Sequence, residues 1–324
     1  MFKAFFASRR WALWAYGGVT LLLASLIAQV QMTVFINEWY EGFYNLLQNA
    51  PQRSLDEFWT LMLNFCKIAF PYVLLATLTN YITRIFAFRW REAITFDYIP
   101  KWRNVTHDVE GASQRLQEDT QKFASLVESL GLQIARAIIT LIAFTPVLWA
   151  LSKHITFGLL ANIPGSLVWL ALTIAVGGMV ISWFVGWWLP GLEYNNQKVE
   201  AAFRKELVYG EDDKHKYSQV ETLVSLFTGI RFNYHRLYLH YGYFDVWLNL
   251  YNQLLIILPY AVIAPGLFTA GMTLGLMMRM VNAFKQVRES LVVLIENWTR
   301  ITELRSVYRR LREFERNIMA VKTS

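Results

Sequence analysis

Most of this 324-residue chain is divided into runs that carry almost no charge. Residues 11–37, 137–152, 155–192 and 246–278 hold no Asp, Glu, Lys or Arg, and residues 58–83 are broken only by Lys67. A helix crosses a bilayer core of roughly 30 Å with about 20 apolar residues. Runs of this length and number predict membrane spans, because one soluble core has no room for so many. Charged residues make up 17% of the chain, against about 25% in ordinary soluble domains. The predicted fold class is an all-α polytopic membrane protein. We place spans near 11–35, 58–83, 132–151 and 166–189. The last run is too long for one span, and "APG" at 264–266 is a natural break. It is read as a fifth span near 245–263 and a sixth from about 267, six in all. Arg136 falls within the third. Arg279, Lys285, Arg288 and Glu289 fall in the sixth, which must therefore face protein or water and not lipid.

The connections are unequal. The loop at 37–57 is short and mostly acidic, with Glu38, Glu41, Asp56 and Glu57. Residues 84–131 and 193–244 are long, charged and rich in helix formers. Lys and Arg gather on the cytoplasmic side of membrane proteins. That rule puts both termini, both long connections and the tail 296–324 in the cytoplasm. The net charge of +7 then belongs to the lipid bilayer and not to nucleic acid. "MFKAFFASRR" precedes an apolar run too long for a signal peptide, so the first span is expected to be retained. The whole chain, 1–324, reads as one transmembrane domain. Six helices extended by long cytoplasmic loops are similar to the membrane half of an ABC exporter.

No phosphate loop of the form G-x-x-x-x-G-K-[ST] is present; Gly210 is followed by "EDDK" and Gly271 by "MTLG". Too few residues follow the sixth span for a nucleotide-binding domain of typical size. A lone Cys66 excludes an internal disulfide framework and a cysteine metal site. The histidines, 107, 154, 215, 235 and 240, are scattered without a ligand spacing. No enzyme chemistry, metal or cofactor is expected, and the energy source lies elsewhere: a separate ATPase chain, or an ion gradient.

One acidic stretch stands out. "LEYNNQKVEAAFRKELVYGEDD", residues 192–213, carries six acids against three bases. Each helical residue advances about 100°. If the stretch is one helix, Glu193, Glu200 and Glu211 share a stripe, and Arg204 is placed to pair with Glu200. The other long connection repeats the pattern. Glu110 and Glu128 lie five whole turns apart, with Gln114, Gln117 and Gln121 near the same face. Glu128 stands just before the third span, where desolvation raises a carboxyl's pKa, the property of a proton carrier. The plainer reading of both stripes is a solvated helix face.

Aromatic residues form the second feature. "NEWYEGFYNLL", residues 37–47, places Trp39, Tyr40 and Tyr44 at the outer mouth, and "FVGWWLPG" places Trp187 and Trp188 at the inner one. An interfacial aromatic belt explains such positions; the outer cluster is equally suited to gripping a peptide. Phe144 sits before Pro146 in mid-span, where a proline kinks a helix.

Several long motifs then carry a resemblance. Residues 109–148, "VEGASQRLQEDTQKFASLVESLGLQIARAIITLIAFTPVL", resemble the SbmA/BacA family of bacterial inner-membrane peptide transporters. So do 189–213, 273–291 ("TLGLMMRMVNAFKQVRESL") and 297–315 ("NWTRITELRSVYRRLREFE"). The resemblance implies a homodimer with an ABC-exporter-like membrane fold and no ATPase subunit. It implies proton-driven import of peptides, proline-rich antimicrobial peptides among them. By motif, Glu128, Glu200 and Glu211 match proton-carrying glutamates and Phe144 a functional aromatic. Glu118 in "QEDT", Glu193 in "PGLE" and Asp212 match family motifs too. Familiar members begin with a further membrane segment ahead of the helix that is first here, a departure that bears on substrate choice. Two other readings stand beside this one: the membrane half of a transporter with a separate ATPase, and a lipid-binding or envelope-shaping protein.

Overall fold

The computed structural model describes residues 1–105, 109, 111–155, 161, 163–213, 217, 219–268 and 271–319. Its long elements are helices, and no strand occurs among the described residues. In chain order they are α1 (Phe2–Phe6), α2 (Gly18–Gln48), α3 (Leu55–Arg103), α4 (Ala112–Gln114), α5 (Thr120–Leu151), α6 (Ser166–Gly186), α7 (Leu189–Asp212), α8 (Val220–Ile263), α9 (Pro265–Phe268), α10 (Leu274–Glu296) and α11 (Trp298–Met319). This is an all-α polytopic membrane protein.

Five helical stretches are long and apolar enough to cross a membrane, where six were expected. The expected sixth span is α10, which fails on charge. Its buried residues Met277, Met280, Val281, Phe284 and Val287 follow helical spacing. Charged residues occupy the other side, so α10 is amphipathic. The split at "APG" is real: α8 ends at Ile263 and the short α9 follows.

Two helices overshoot any bilayer. At about 1.5 Å per residue, the 49 residues of α3 span more than twice a bilayer core. The 44 residues of α8 do much the same. Among the described residues the long connections are therefore largely helical, carried on from the apolar spans. Ser54 starts α3 by accepting from the Glu57 amide at 3.2 Å, and Asp56 and Glu57 favour the same terminus. Prolines 71, 146 and 259 lie inside helices that run on past them.

The contacts divide the chain into two compact units, Met1–Leu172 with Ile263–Ser324, and Thr173–Val262. In the first, α2 and α3 pair antiparallel: Gly18 lies on Phe86, Ser25 on Thr79, and Trp39 on Leu61. α10 packs on α5 and α2, and α11 on α5. At one end Phe5, Trp11, Phe86, Trp90 and Phe123 form an aromatic core, with Phe5 stacked on Trp90 at 5.5 Å. α11 lays Val307, Leu311, Phe314 and Ile318, spaced four, three and four, onto this core. At the other end the last turn of α2 caps α10. Asn45 Oδ1 accepts from the Gly275 amide at 3.0 Å and Gln48 Oε1 from the Leu274 amide at 2.9 Å.

The second unit holds the end of α6, α7 and most of α8. Trp247 Nε1 donates to Ser182 Oγ at 2.9 Å, and the Tyr251 hydroxyl donates to the Ile174 carbonyl at 3.0 Å. This antiparallel pair closes on Gly178, where a Cβ would lie 2.2 Å from Tyr251 Cζ. Phe203 of α7 meets Phe227 of α8 with ring centroids 5.8 Å apart.

Candidate functional site

Glu128 sits in the first third of α5, half-buried, beside a cavity of about 230 Å³. Val19, Leu22, Phe86, Trp90, Leu132 and Ala135 line that cavity, and no other charged side chain does. No hydrogen bond or ion pair reaches the Glu128 carboxylate among the described residues. Its position follows from helix geometry. α5 turns one face to α3 and the aromatic core, and Glu128 lies one turn after the buried Ala124.

Its neighbour in the family motifs is different. Glu118 is exposed and held by Lys122 at 2.6 Å, with Gln114 donating to its other oxygen at 3.3 Å. The next residue, Asp119, was not singled out from the sequence, yet it is the buried one. It is 1% exposed and accepts from Arg115 at 2.7 Å and from both Arg310 nitrogens, at 3.0 and 2.7 Å. Its only sequence signal is the Arg115 four residues earlier; the pairing with α11 spans 191 residues.

Of the stripe expected to join Glu110 and Glu128, Glu110 lies outside the described residues. Gly111 is left-handed at φ 67° and the helix starts after it. Residues Arg115–Asp119 then form a π turn, which widens the repeat between Gln114 and Glu128.

In the second unit, the stretch 192–213 is nearly all one helix, α7, as the stripe argument required. Glu193 and Glu200 are half-buried and Glu211 is exposed. None is in an ion pair among the described residues, so the contemplated Glu200–Arg204 pair is absent. Asp212 is the last residue of α7. His107 and His215 lie outside the described residues. Among those described, no cluster of His, Cys, Asp or Glu could hold a metal ion.

The aromatic cluster divides. Trp39 donates from Nε1 to the Leu61 carbonyl at 2.9 Å and stacks on Phe43 at 4.6 Å, so it ties α2 to α3. Tyr40 and Tyr44 stack on each other at 6.0 Å along α2, half-buried. Phe144 is fully buried within its own unit. Trp187 and Trp188 are exposed, as interfacial residues are. Close to Trp39, Arg279 of α10 donates to Glu41 at 2.8 Å and to Glu38 at 3.3 Å. The expectation that Arg279 faces protein is met, and the two acids of the short loop are its partners.

A family model described as SbmA/BacA-like matches residues 8–319. The chain belongs to this family. Members of the SbmA/BacA-like family are membrane transporters, and the apolar helices agree with that class. Among curated relatives, the chain is 28% identical over 317 residues to the inner membrane ABC transporter ATP-binding protein YddA of Escherichia coli (strain K12). That match covers 91% of this chain and 56% of YddA. It is 24% identical over 311 residues to ABC transporter D family member 2, chloroplastic, of Arabidopsis thaliana, covering 91% and 42%. An uncharacterized ABC transporter ATP-binding protein of Haemophilus influenzae is 26% identical over 198 residues, covering 58% and 33%. The chain thus spans about half or less of the length of these relatives.

Proposed function

We propose that this SbmA/BacA-like protein imports peptides across the bacterial inner membrane, driven by the proton gradient, as a homodimer that alternates access. Both termini and the long helical extensions then lie in the cytoplasm, and the α2–α3 turn faces outward. The observation that carries the proposal is Glu128: a carboxylate at the end of an apolar stretch, against an apolar cavity, with no cation beside it. A proton carrier needs to change charge, and a nearby Lys or Arg would hold it in one state. Glu193, Glu200 and Glu211, unpaired on α7, are the matching groups of the second unit. Tyr40 and Tyr44 are candidates for the outer grip on substrate, and Phe144 for an aromatic that the packing uncovers when access alternates.

The test is uptake of a labelled proline-rich peptide into proteoliposomes containing the purified protein, with an imposed pH gradient. Uptake that follows the gradient, and that is lost in Glu128→Gln or in Glu200→Ala with Glu211→Ala, is the expected result. Uptake indifferent to the gradient sinks the proposal. The second reading is a membrane subunit that works with a separate ATPase. The names and lengths of the relatives favour it. ATP-dependent, vanadate-sensitive uptake in membranes, absent from proteoliposomes of the chain alone, would establish that reading instead.

A further inference from the structure

Arg136 is a cation inside an apolar helix, and its charge meets no acid. It lies one turn into the stretch read as the third span, and no ion pair includes it among the described residues. Its guanidinium donates to Gln29 Oε1 at 2.6 Å. Glu128 lies eight residues earlier, about 12 Å along the helix and about 80° around it, too far to serve as the counter-charge.

The groups behind Gln29 fix the direction of that bond. Thr79 Oγ1 donates its one proton to the Leu75 carbonyl at 2.6 Å. It therefore accepts from Gln29 Nε2, at 2.8 Å. Ser25 Oγ accepts from the same amide nitrogen at 3.2 Å. With its nitrogen committed, Gln29 can offer Arg136 only its oxygen. Gln29 is fully buried. Three helices, α2, α3 and α5, thus combine to aim one guanidinium.

All these partners are neutral. A charged Arg at bilayer depth is costly even on insertion scales, and buried charges are ordinarily paired. One amide oxygen occupies a single N–H of the fork. Arg136 is partly exposed, and none of its nitrogens is both sealed from solvent and without a partner, so its neighbours do not close off the fork. A planar fork held from behind, with its free edge open, matches a carboxylate.

We propose that Arg136 is a carboxylate-binding residue of the transport path, taking the C-terminal carboxylate of the peptide cargo. This rests on the reading of the protein as a peptide importer. The chemistry recognised is a free carboxylate, which every unmodified peptide carries at its end.

The experiment compares one short proline-rich peptide in two forms, free acid and C-terminal amide. It uses two readouts, uptake into proteoliposomes and the shift in melting temperature of the detergent-purified protein. Wild type should reach half-saturation at about tenfold lower concentration of the acid than of the amide, the scale of one charge-assisted hydrogen bond. Arg136→Gln should lose that preference and handle the amide as wild type does. Arg136→Lys should keep part of it. Gln29→Glu, which places a near-isosteric carboxylate against the guanidinium, should lose the preference without removing Arg136; it covers the case in which Arg136→Gln misfolds. Equal half-saturation by acid and amide in wild type overturns the proposal. So does an Arg136→Gln effect that falls on both forms alike, the outcome expected if an acid of another unit or a second copy is the true partner. Gradient-driven uptake blind to the terminal group removes this site and leaves peptide import standing. No uptake, but a melting shift that prefers the acid and vanishes in Arg136→Gln, removes import and leaves the site. No uptake and no shift remove both.

Discussion

At the scale of single residues, the acids of this chain differ by what stands beside them. Glu118 and Glu128 share one motif, and both were candidates for proton transfer. Glu118 has Lys122 at 2.6 Å; Glu128 has an apolar cavity. Replacing Glu128 by Gln is expected to abolish gradient-driven uptake with the protein still folded, as read by an unchanged size-exclusion profile. Replacing Glu118 by Gln should leave uptake nearly unchanged in the same assay. Loss of uptake in both would mean that the local cation does not decide the role. The contrast was half legible. Lys122 stands four residues after Glu118, a pairing distance on any helix, and Glu128 visibly precedes an apolar run. The cavity was not legible, because Val19, Leu22, Phe86 and Trp90 come from other helices.

At the scale of elements, small side chains and buried pairs decide how helices meet. A Cβ on Gly275 would stand 2.0 Å from the Glu41 carbonyl oxygen, which is backbone and cannot give way by rotating. Gly275→Ala is expected to destabilise by about 1–3 kcal/mol, as overpacking does, and to lower the melting temperature in detergent. Gly131→Ala is the control. It lies on α5 with open space around it and should be neutral, or stabilising by about 0.5–1 kcal/mol. α11 depends on Asp119. Arg310→Ala removes its bidentate partner and leaves a buried carboxylate with Arg115 alone. A loss of about 1–3 kcal/mol is expected, typical of a hydrogen bond to a charged group, with faster proteolysis within α11. The amphipathic spacing of α10 and α11 was readable from the chain. The π turn at Arg115–Asp119 and the left-handed Gly111 were not, because both answer to packing against α3 and α11 more than to local preference.

At the scale of the whole molecule, the apolar helices set the class, and the proposed coupling to a proton gradient would set the direction of work. If protons enter with the cargo, uptake must rise when the outside is the more acidic side and vanish when the gradient is reversed. ATP inside the vesicles should change nothing. Accumulation against an alkaline exterior would break the proposed coupling. The sequence alone determined the polytopic all-α class, because no fold but a membrane bundle can satisfy so many charge-free runs. It also determined that stretch 192–213 would place its acids in a stripe, since a helical repeat is a local property. Only the tertiary structure decided which charges are quenched. Arg279 finds Glu38 and Glu41, Arg310 finds Asp119, and Arg136 finds the neutral Gln29. A charge is neutralised by whatever lies within a few ångströms, and across helices that distance has no counterpart in sequence separation.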